Sequence, residues 1–204
     1  MDAAFRVFAE RGYGATRLDE VADAVGVTKG AIYYYFDGKE DLLRRAVENG
    51  HGAVFSDLAQ ELNNEDRAPA AAKVRLVLRR IWNHWLDPRW GHALRLMLGE
   101  VSVGIPELFR TWALVGPIQG WSLVRDLIQR GVSDGEFRAD VDPEVAARLV
   151  VSGLMLQAVL HVHMGLSQVA PCDTDRIFDS SVDLFIHGLA VTHAKALPGA
   201  PVSG

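Results

Sequence analysis

The sequence predicts an all-α chain, and three observations carry that prediction. Apolar residues recur at three- and four-residue steps through most of the 204 residues, as in Leu18, Val21, Ala22 and Val25, the spacing that lines one face of a helix. Strand-like alternation is nowhere sustained. Helix stops and starts punctuate the apolar stretches, among them Gly12, Gly26, Asp37-Gly38, Asp87-Pro88 and Asp142-Pro143.

The elements follow in order. A first helix is expected over about Asp2–Arg11, with Ala4, Val7 and Phe8 on one face, stopping at Gly12. Thr16 is expected to cap a second helix, with Asp19 at the capping-box position. Gly26 then supplies a tight turn, Val27 plugs it, and Thr28 caps a third helix. Lys39 opens a long fourth helix reaching about Asn63; a fifth spans Pro69 to Leu86, and a sixth Trp90–Ser102. The seventh, Pro106–Gln129, should kink or split at Gly116-Pro117, because proline lacks an amide donor and clashes with the preceding turn. Asp142-Pro143-Glu144 combines a cap, a first-turn proline and a first-turn acid, and starts an eighth helix running to about Met164. Asp173 or Thr174 starts a ninth, ending near Ala196. This divides the chain into a small helical unit at 1–38, a larger one at 39–197 and a disordered tail at 198–204.

Composition narrows the function classes. Hydrophobic residues make up 49% and charged residues 23%, enough for a sizeable core. The net charge of -5, without a run of like charges, argues against indiscriminate nucleic-acid binding. The single Cys172 excludes an intrachain disulfide and a multi-cysteine metal site, and suits a reducing compartment. No signal peptide opens the chain, so a cytoplasmic protein is expected. Leu149–Leu166 approaches membrane-spanning length, but it contains Ser152, Gln157, His161 and His163 and reads as a buried helix, with no membrane partner.

The functional signal lies in Val25–Phe36, VGVTKGAIYYYF. Successive helical residues lie about 100° apart, so a helix packed on one side cannot bury Tyr33, Tyr34 and Tyr35 together. Ile32 and Phe36 share the inward face; Gly30, Ala31 and Tyr34 point out. With the Gly26 turn between two short helices this makes a helix-turn-helix, whose outer face offers phenol hydroxyls, a cation at Lys29 and a helix start suited to phosphate. Against this, residues 1–50 carry seven Lys/Arg and nine Asp/Glu, which implies modest affinity for DNA of arbitrary sequence.

The segment FAERGYGATRLDEVADAVGVTKGAIYYYFDGKEDLL, and VTKGAIYYYFDGKEDLL within it, resembles the DNA-binding domain of tetracycline-repressor-like (TetR-family) regulators. More loosely, GEFRADVDPEVAARLVVSGL resembles the loop and eighth-helix start of many members. The resemblance implies a helical homodimer with a DNA-binding unit and a larger ligand-binding and dimerising unit. By position it implies that Lys29, Gly30, Ala31 and Tyr33 face base edges. Thr28, Tyr34, Tyr35 and Lys39 would then hold phosphates, joined by Thr16 and Arg17. Members usually carry a basic arm ahead of the first helix. Here the pattern begins at Met1-Asp2-Ala3-Ala4, so such an arm is expected either upstream or not at all.

The expected effector site is the aromatic set Trp82, Trp85, Met97, Phe109, Trp112 and Trp121, with Met155 and Gln157 from the eighth helix. It suits a small, largely apolar effector with few polar groups. His161 and His163 diverge by about 200° on a helix and are no metal pair; no metal or cofactor is expected. The expected dimer contacts are Gly153, Ala158, Phe178, Ser181, Phe185 and Gly188. Together these predict a ligand-responsive transcriptional regulator, a repressor released from a palindromic double-stranded operator. The rivals are a DNA-organising protein without an effector and an enzyme using the helical pocket, for which no His-Glu-x-x-His, Gly-x-Ser-x-Gly or phosphate-loop motif is present.

Overall fold

The computed structural model describes residues 2–64, 67–88 and 106–191. The helix expected at 90–102, with Met97, and the tail expected at 198–204 lie outside them. Nine α-helices occupy the described residues: α1 (Asp2–Arg11), α2 (Leu18–Val25), α3 (Lys29–Tyr35), α4 (Lys39–Asn64), α5 (Ala70–Leu86), α6 (Pro106–Val115), α7 (Pro117–Ser133), α8 (Pro143–Ala158) and α9 (Thr174–Leu189). The expected break at Gly116-Pro117 divides α6 from α7. Proline sits at the first position of α7, where its missing amide costs nothing.

Two groups of helices share α4. At its start α4 packs on α1, which packs on α2, and α2 on α3; further along it packs on α5 and α6. α7 and α8 form the most extensive pair in the larger group, with α5 against both and α9 across α5 and α8. Buried Phe5, Phe8, Val21, Ile32, Leu42 and Leu43 form the core of the first group. Val74, Leu78, Trp82, Ile128, Val151 and Phe178 belong to that of the second.

The second helix starts one residue later than the threonine signal predicts. Arg17 is the capping residue, and Glu20 Oε2 accepts its amide at 3.0 Å. Thr16 instead turns inward: it is buried, and its hydroxyl donates to the Gly12 carbonyl at 2.7 Å. The reason is the tight reversal after α1, where Gly12 has φ 85° and its carbonyl needs a donor. Lys39 completes the same turn. Its ammonium donates to the carbonyls of Tyr13 (2.7 Å), Thr16 (3.0 Å) and Gly14 (3.4 Å), and lies 4.3 Å from the Tyr13 ring centroid. It straps the α1–α2 loop to the start of α4.

α8 begins as expected, with Asp142 Oδ1 accepting from the amides of Glu144 (2.9 Å) and Val145 (3.1 Å). Its last turn widens into a π-helix over Val159–His163, closed by the Met164 amide on the Val159 carbonyl at 2.8 Å. By length and composition Pro143–His163 could cross a membrane. Here its inner stripe, Ala147, Val150, Val151, Leu154 and Ala158, is buried against the core. α9 starts at the Asp173 cap and ends at Leu189, earlier than the expected Ala196. There Ala190 turns extended to pair with Phe137, and the Leu189 carbonyl accepts the Arg138 amide at 2.8 Å.

α5 and α9 are clamped by charge. Arg79 bonds Asp175 and Asp179 at 2.6 Å each and lies 3.7 Å over the ring of Phe178; Arg75 pairs with Asp183. Asp175, Asp179 and Asp183 follow at four-residue steps, so one face of α9 presents a row of carboxylates to two arginines one turn apart.

Two substitutions test this packing. A Cβ on Gly131 would sit 2.3 Å from the buried Phe137 ring and 2.9 Å from Ala70 Cβ. Gly131→Ala is therefore expected to destabilise the fold by about 1–3 kcal/mol in urea unfolding. Lys39→Met keeps the aliphatic stem and removes the three charged hydrogen bonds. It is expected to cost about 1–2 kcal/mol, whereas a lysine reserved for an external anion would leave the unfolding midpoint unchanged.

Candidate functional site

The site starts from Gly26. Its φ of 73° is left-handed, a conformation that a side chain would strain, and it lets the Val27 amide return to the Ala22 carbonyl at 3.0 Å. The reversal brings α3 across α2. Val27, expected to plug the turn, is exposed; half-buried Val25 and buried Ala22 fill that side. Thr28 caps α3 as expected, its Oγ1 accepting the Ala31 amide at 3.2 Å.

α3 has seven residues and one fully buried side chain, Ile32, at 4% exposure. Tyr33, Tyr34 and Tyr35 are all exposed, Tyr34 at 80%, and the last two rings meet edge to face at 4.8 Å between centroids. Gly30 is exposed, and the space around its missing side chain is open except for Thr28 Oγ1 at 3.9 Å. Lys29, Gly30, Ala31, Tyr33, Tyr34 and Tyr35 therefore belong to one short helix with Thr28 at its head, and Tyr34 stands opposite Ile32 as the wheel predicts.

The cations near this helix are engaged within the protein. Lys29 Nζ lies 2.5 Å from Asp19 Oδ1, and Arg17 lies 3.3 Å from Asp19 Oδ2. Arg11 pairs with Glu20. The hydrogen bond from Lys29 holds the Asp19 carboxyl below its ordinary range, and the same bond raises Lys29, so both carry full charge at neutral pH. Two expected phosphate contacts have other work: the Thr16 hydroxyl is buried on the Gly12 carbonyl, and the Lys39 ammonium is spread over three carbonyls. Arg17 and Thr28 remain at the surface.

In the larger group, Trp82, Trp85 and Trp112 are buried; Phe109, Trp121, Met155 and Gln157 are half-buried. Their described contacts do not gather them round one centre. Trp82 faces Phe178 on α9, Trp112 meets Phe109 on its own helix, and Trp121 lies under the Arg148 guanidinium from α8. Met155 and Gln157 diverge by about 200° around α8. The indole Nε1 atoms of Trp82, Trp112 and Trp121, and His161 Nδ1, are buried without a hydrogen-bond partner among the described residues. His163 differs: its Nε2 donates to the Trp85 carbonyl at 2.6 Å. A separate groove of about 540 Å³ between α4 and α5 is lined by polar groups, including Asp57, Glu61, Arg80 and Asn83, and by none of the expected aromatic residues.

Of the expected dimer residues, Ala158 and Phe178 are fully buried inside the protomer, because their faces of α8 and α9 meet its own core. They are interior residues, unavailable to a second copy. Gly153 and Gly188 are exposed, and Ser181 and Phe185 half-buried. Sequence reasoning missed the exposed apolar side chains of the same helices: Val145, Leu149 (69% exposed) and Leu156 on α8, and Leu184 (77%) on α9. Their signal was the spacing 145, 149, 156, which shares a face with Gly153.

Comparison with known proteins agrees with this arrangement. Residues 1–46 match the family model "Bacterial regulatory proteins, tetR family", and residues 72–188 match "AefR-like transcriptional repressor, C-terminal domain". The chain is 30% identical to the HTH-type transcriptional repressor KstR2 of Rhodococcus jostii over 74% of this chain and 72% of that one. It is 35% identical to the HTH-type transcriptional regulator AcrR of Shigella flexneri over 76% of this chain and 74% of that one. The solved structure of the transcriptional regulator FadR from Bacillus subtilis, in complex with stearoyl-CoA, superposes with a TM-score of 0.71 over 92% of this chain and 96% of that one, at 21% identity. A short outward-facing third helix, a helical fold across the described residues and matches to both halves lead to one conclusion: the chain belongs to the tetR family of bacterial regulatory proteins and is a DNA-binding transcriptional regulator.

Proposed function

We propose that this regulator is a repressor that binds a palindromic duplex operator as a homodimer and leaves it when a small, largely apolar effector enters the larger helical group. The observation that carries the DNA half is the face of α3: of its seven residues Ile32 alone is buried, and Tyr33, Tyr34 and Tyr35 are all exposed. A helix of this kind lays its outer residues in the major groove, and two copies would reach successive grooves roughly 34–36 Å apart. Tyr34, Tyr35, Thr28 and Arg17 are assigned to phosphates, and Lys29, Gly30, Ala31 and Tyr33 to base edges. We place the reading unit at 1–38 and the effector and dimer unit from 39 onward, in a protein working in the cytoplasm beside its DNA.

The unpartnered indole and imidazole nitrogens support the effector half. Leaving a buried N–H without an acceptor costs about 1–3 kcal/mol. Buried indole donors of this kind suit a ligand that brings oxygen acceptors on an apolar body; because Trp82, Trp112 and Trp121 face different neighbours, one small effector would meet only some of these indoles and His161. That one structural relative is solved with stearoyl-CoA is in keeping with an amphipathic ligand. Release then requires only that the effector prefer a form in which the two α3 helices no longer match the groove spacing.

For the dimer, the exposed stripe Val145, Leu149, Gly153 and Leu156 would pair with Leu184, Ser181 and Gly188 of α9. Large exposed apolar side chains in register along two adjacent helices suit a partner surface, and the glycines allow close approach.

Three outcomes follow. Leu149→Glu combined with Leu184→Glu is expected to give a folded monomer by sedimentation, since both side chains are exposed in the protomer, and to lose operator affinity; an unchanged dimer would reject this interface. Tyr34→Ala is expected to weaken operator and random duplex alike, by about two- to tenfold, without changing the salt dependence. Lys29→Ala should instead flatten discrimination at a single base position, by about 1–3 kcal/mol, in a binding-site selection.

A further inference from the structure

The reading unit is acidic, and several of its carboxylates sit on its cations. Residues 1–50 hold nine Asp/Glu and seven Lys/Arg. Asp19 occupies the first turn of α2, and the Gly26 reversal brings the start of α3 back beside it. One carboxylate therefore meets two cations from different elements: Lys29 Nζ at 2.5 Å on Oδ1, and Arg17 at 3.3 Å on Oδ2. Lys29 opens the helix that faces DNA, and Arg17 caps α2 beside it. An anion held between these two donors stands where a phosphate or a base-edge acceptor would have to arrive. Asp23, one turn further along the same helix, is exposed, and the ion pairs of Lys29 and Arg17 are with Asp19.

We propose that Asp19 is an internal competitor for DNA, a specificity-determining carboxylate that occupies Arg17 and Lys29 in the free protein and must be displaced for either to contact nucleic acid. The proposal rests on reading α3 as the DNA-facing helix. Its consequence is selective. On duplex of arbitrary sequence the two cations exchange one anion for another and gain little. On the operator, Lys29 gains an acceptor at a base edge, which Asp19 cannot imitate in geometry, and the exchange becomes favourable. An acidic reading unit thus suppresses random binding more than specific binding, without a separate inhibitory segment.

The test uses the full chain as wild type, Asp19→Asn and Asp23→Asn, each removing at most one charge. Binding is measured across a salt series to a random duplex and to an operator selected with the wild-type protein. Asp19→Asn is expected to bind the random duplex about three- to tenfold more tightly and the operator less than threefold more tightly. Its plot of log affinity against log salt on random duplex should steepen by about one unit, the contribution of a freed cation releasing its own counterion. Asp23→Asn should change both affinities by one small common factor. Coincident behaviour of the two variants would overturn the proposal in favour of bulk charge. Weaker operator binding by Asp19→Asn would also overturn it, making Asp19 a residue that positions Lys29. Either result leaves the regulator assignment intact, whereas failure of all three proteins to bind any duplex would remove the DNA-facing reading of α3 and this proposal with it.

Discussion

A helix of seven residues does not hold its shape in water, because too few hydrogen bonds repay the ordering of its first turn. α3 exists because Ile32 is buried and the helix packs on α2, with Phe36 half-buried one turn later, and because Thr28 and Gly26 fix its start. That single anchor decides the rest of the helix. With Ile32 inward, the 100° step turns Tyr34 out and leaves Tyr33 and Tyr35 on its flanks. Tyrosine can remain there because its hydroxyl is hydrated and its ring is stiff, so a large contact surface is presented with little conformational freedom to lose on binding. A polar residue at position 32 would release the helix and its whole outer face together.

What could be read beforehand divides along the same physical line. The helix-turn-helix was legible because its determinants are local: a glycine at a left-handed turn, a threonine cap, an i,i+4 apolar pair. The partners of Thr16 and Lys39 could not be read from spacing, because the fold of the α1–α2 turn selects them. A threonine before an apolar run is equally able to cap the next helix or to bond back to the carbonyl of a preceding turn, and only the tight reversal at Gly12 selects the second. The lysine's three carbonyl partners lie 23 to 26 residues earlier, and no spacing rule reports them. In α8 the obstacle was the reverse. A helix apolar nearly all round has no moment to say which side is core, so Ala158 and Leu149 looked equivalent, although one is buried and the other exposed. Phe178 on α9 was misassigned for a different reason: the row of aspartates that pairs with Arg75 and Arg79 from α5 carries it inward over Trp82.

The aromatic set in the larger group shows a further limit. Residue type marked indoles in need of partners, but not that Trp82 faces α9, that Trp112 meets Phe109 within α6, or that Trp121 lies under Arg148 of α8. An indole N–H is either satisfied or not by the chain that folds around it, and that is a tertiary outcome. Three such donors without a partner among the described residues form a specific demand for acceptors, and a demand of that kind distinguishes a receptive interior from one that is merely apolar.

The connection between the two groups is narrow, and its narrowness has a mechanical meaning. α4 packs on α1 at its start and on α5 and α6 beyond, while Lys39, its first residue, is strapped to the α1–α2 loop. A change in how α6 lies on α4 is therefore delivered at a point where the reading unit is tied by directional, charged hydrogen bonds and not by loose apolar contact. Apolar contacts can slide by fractions of an ångström at little cost, whereas three hydrogen bonds from one ammonium fix both distance and direction. Under the proposed mechanism, the strap would couple the α1–α2 loop, and α3 packed on α2, to any tilt of α4. The opposing clamp, Arg75 and Arg79 on the aspartates of α9, holds α5 against a helix of the predicted dimer face. On the proposed mechanism, with one side held there and the other strapped to the reading unit, a ligand that distinguishes two positions of α6 would act on α3 through α4.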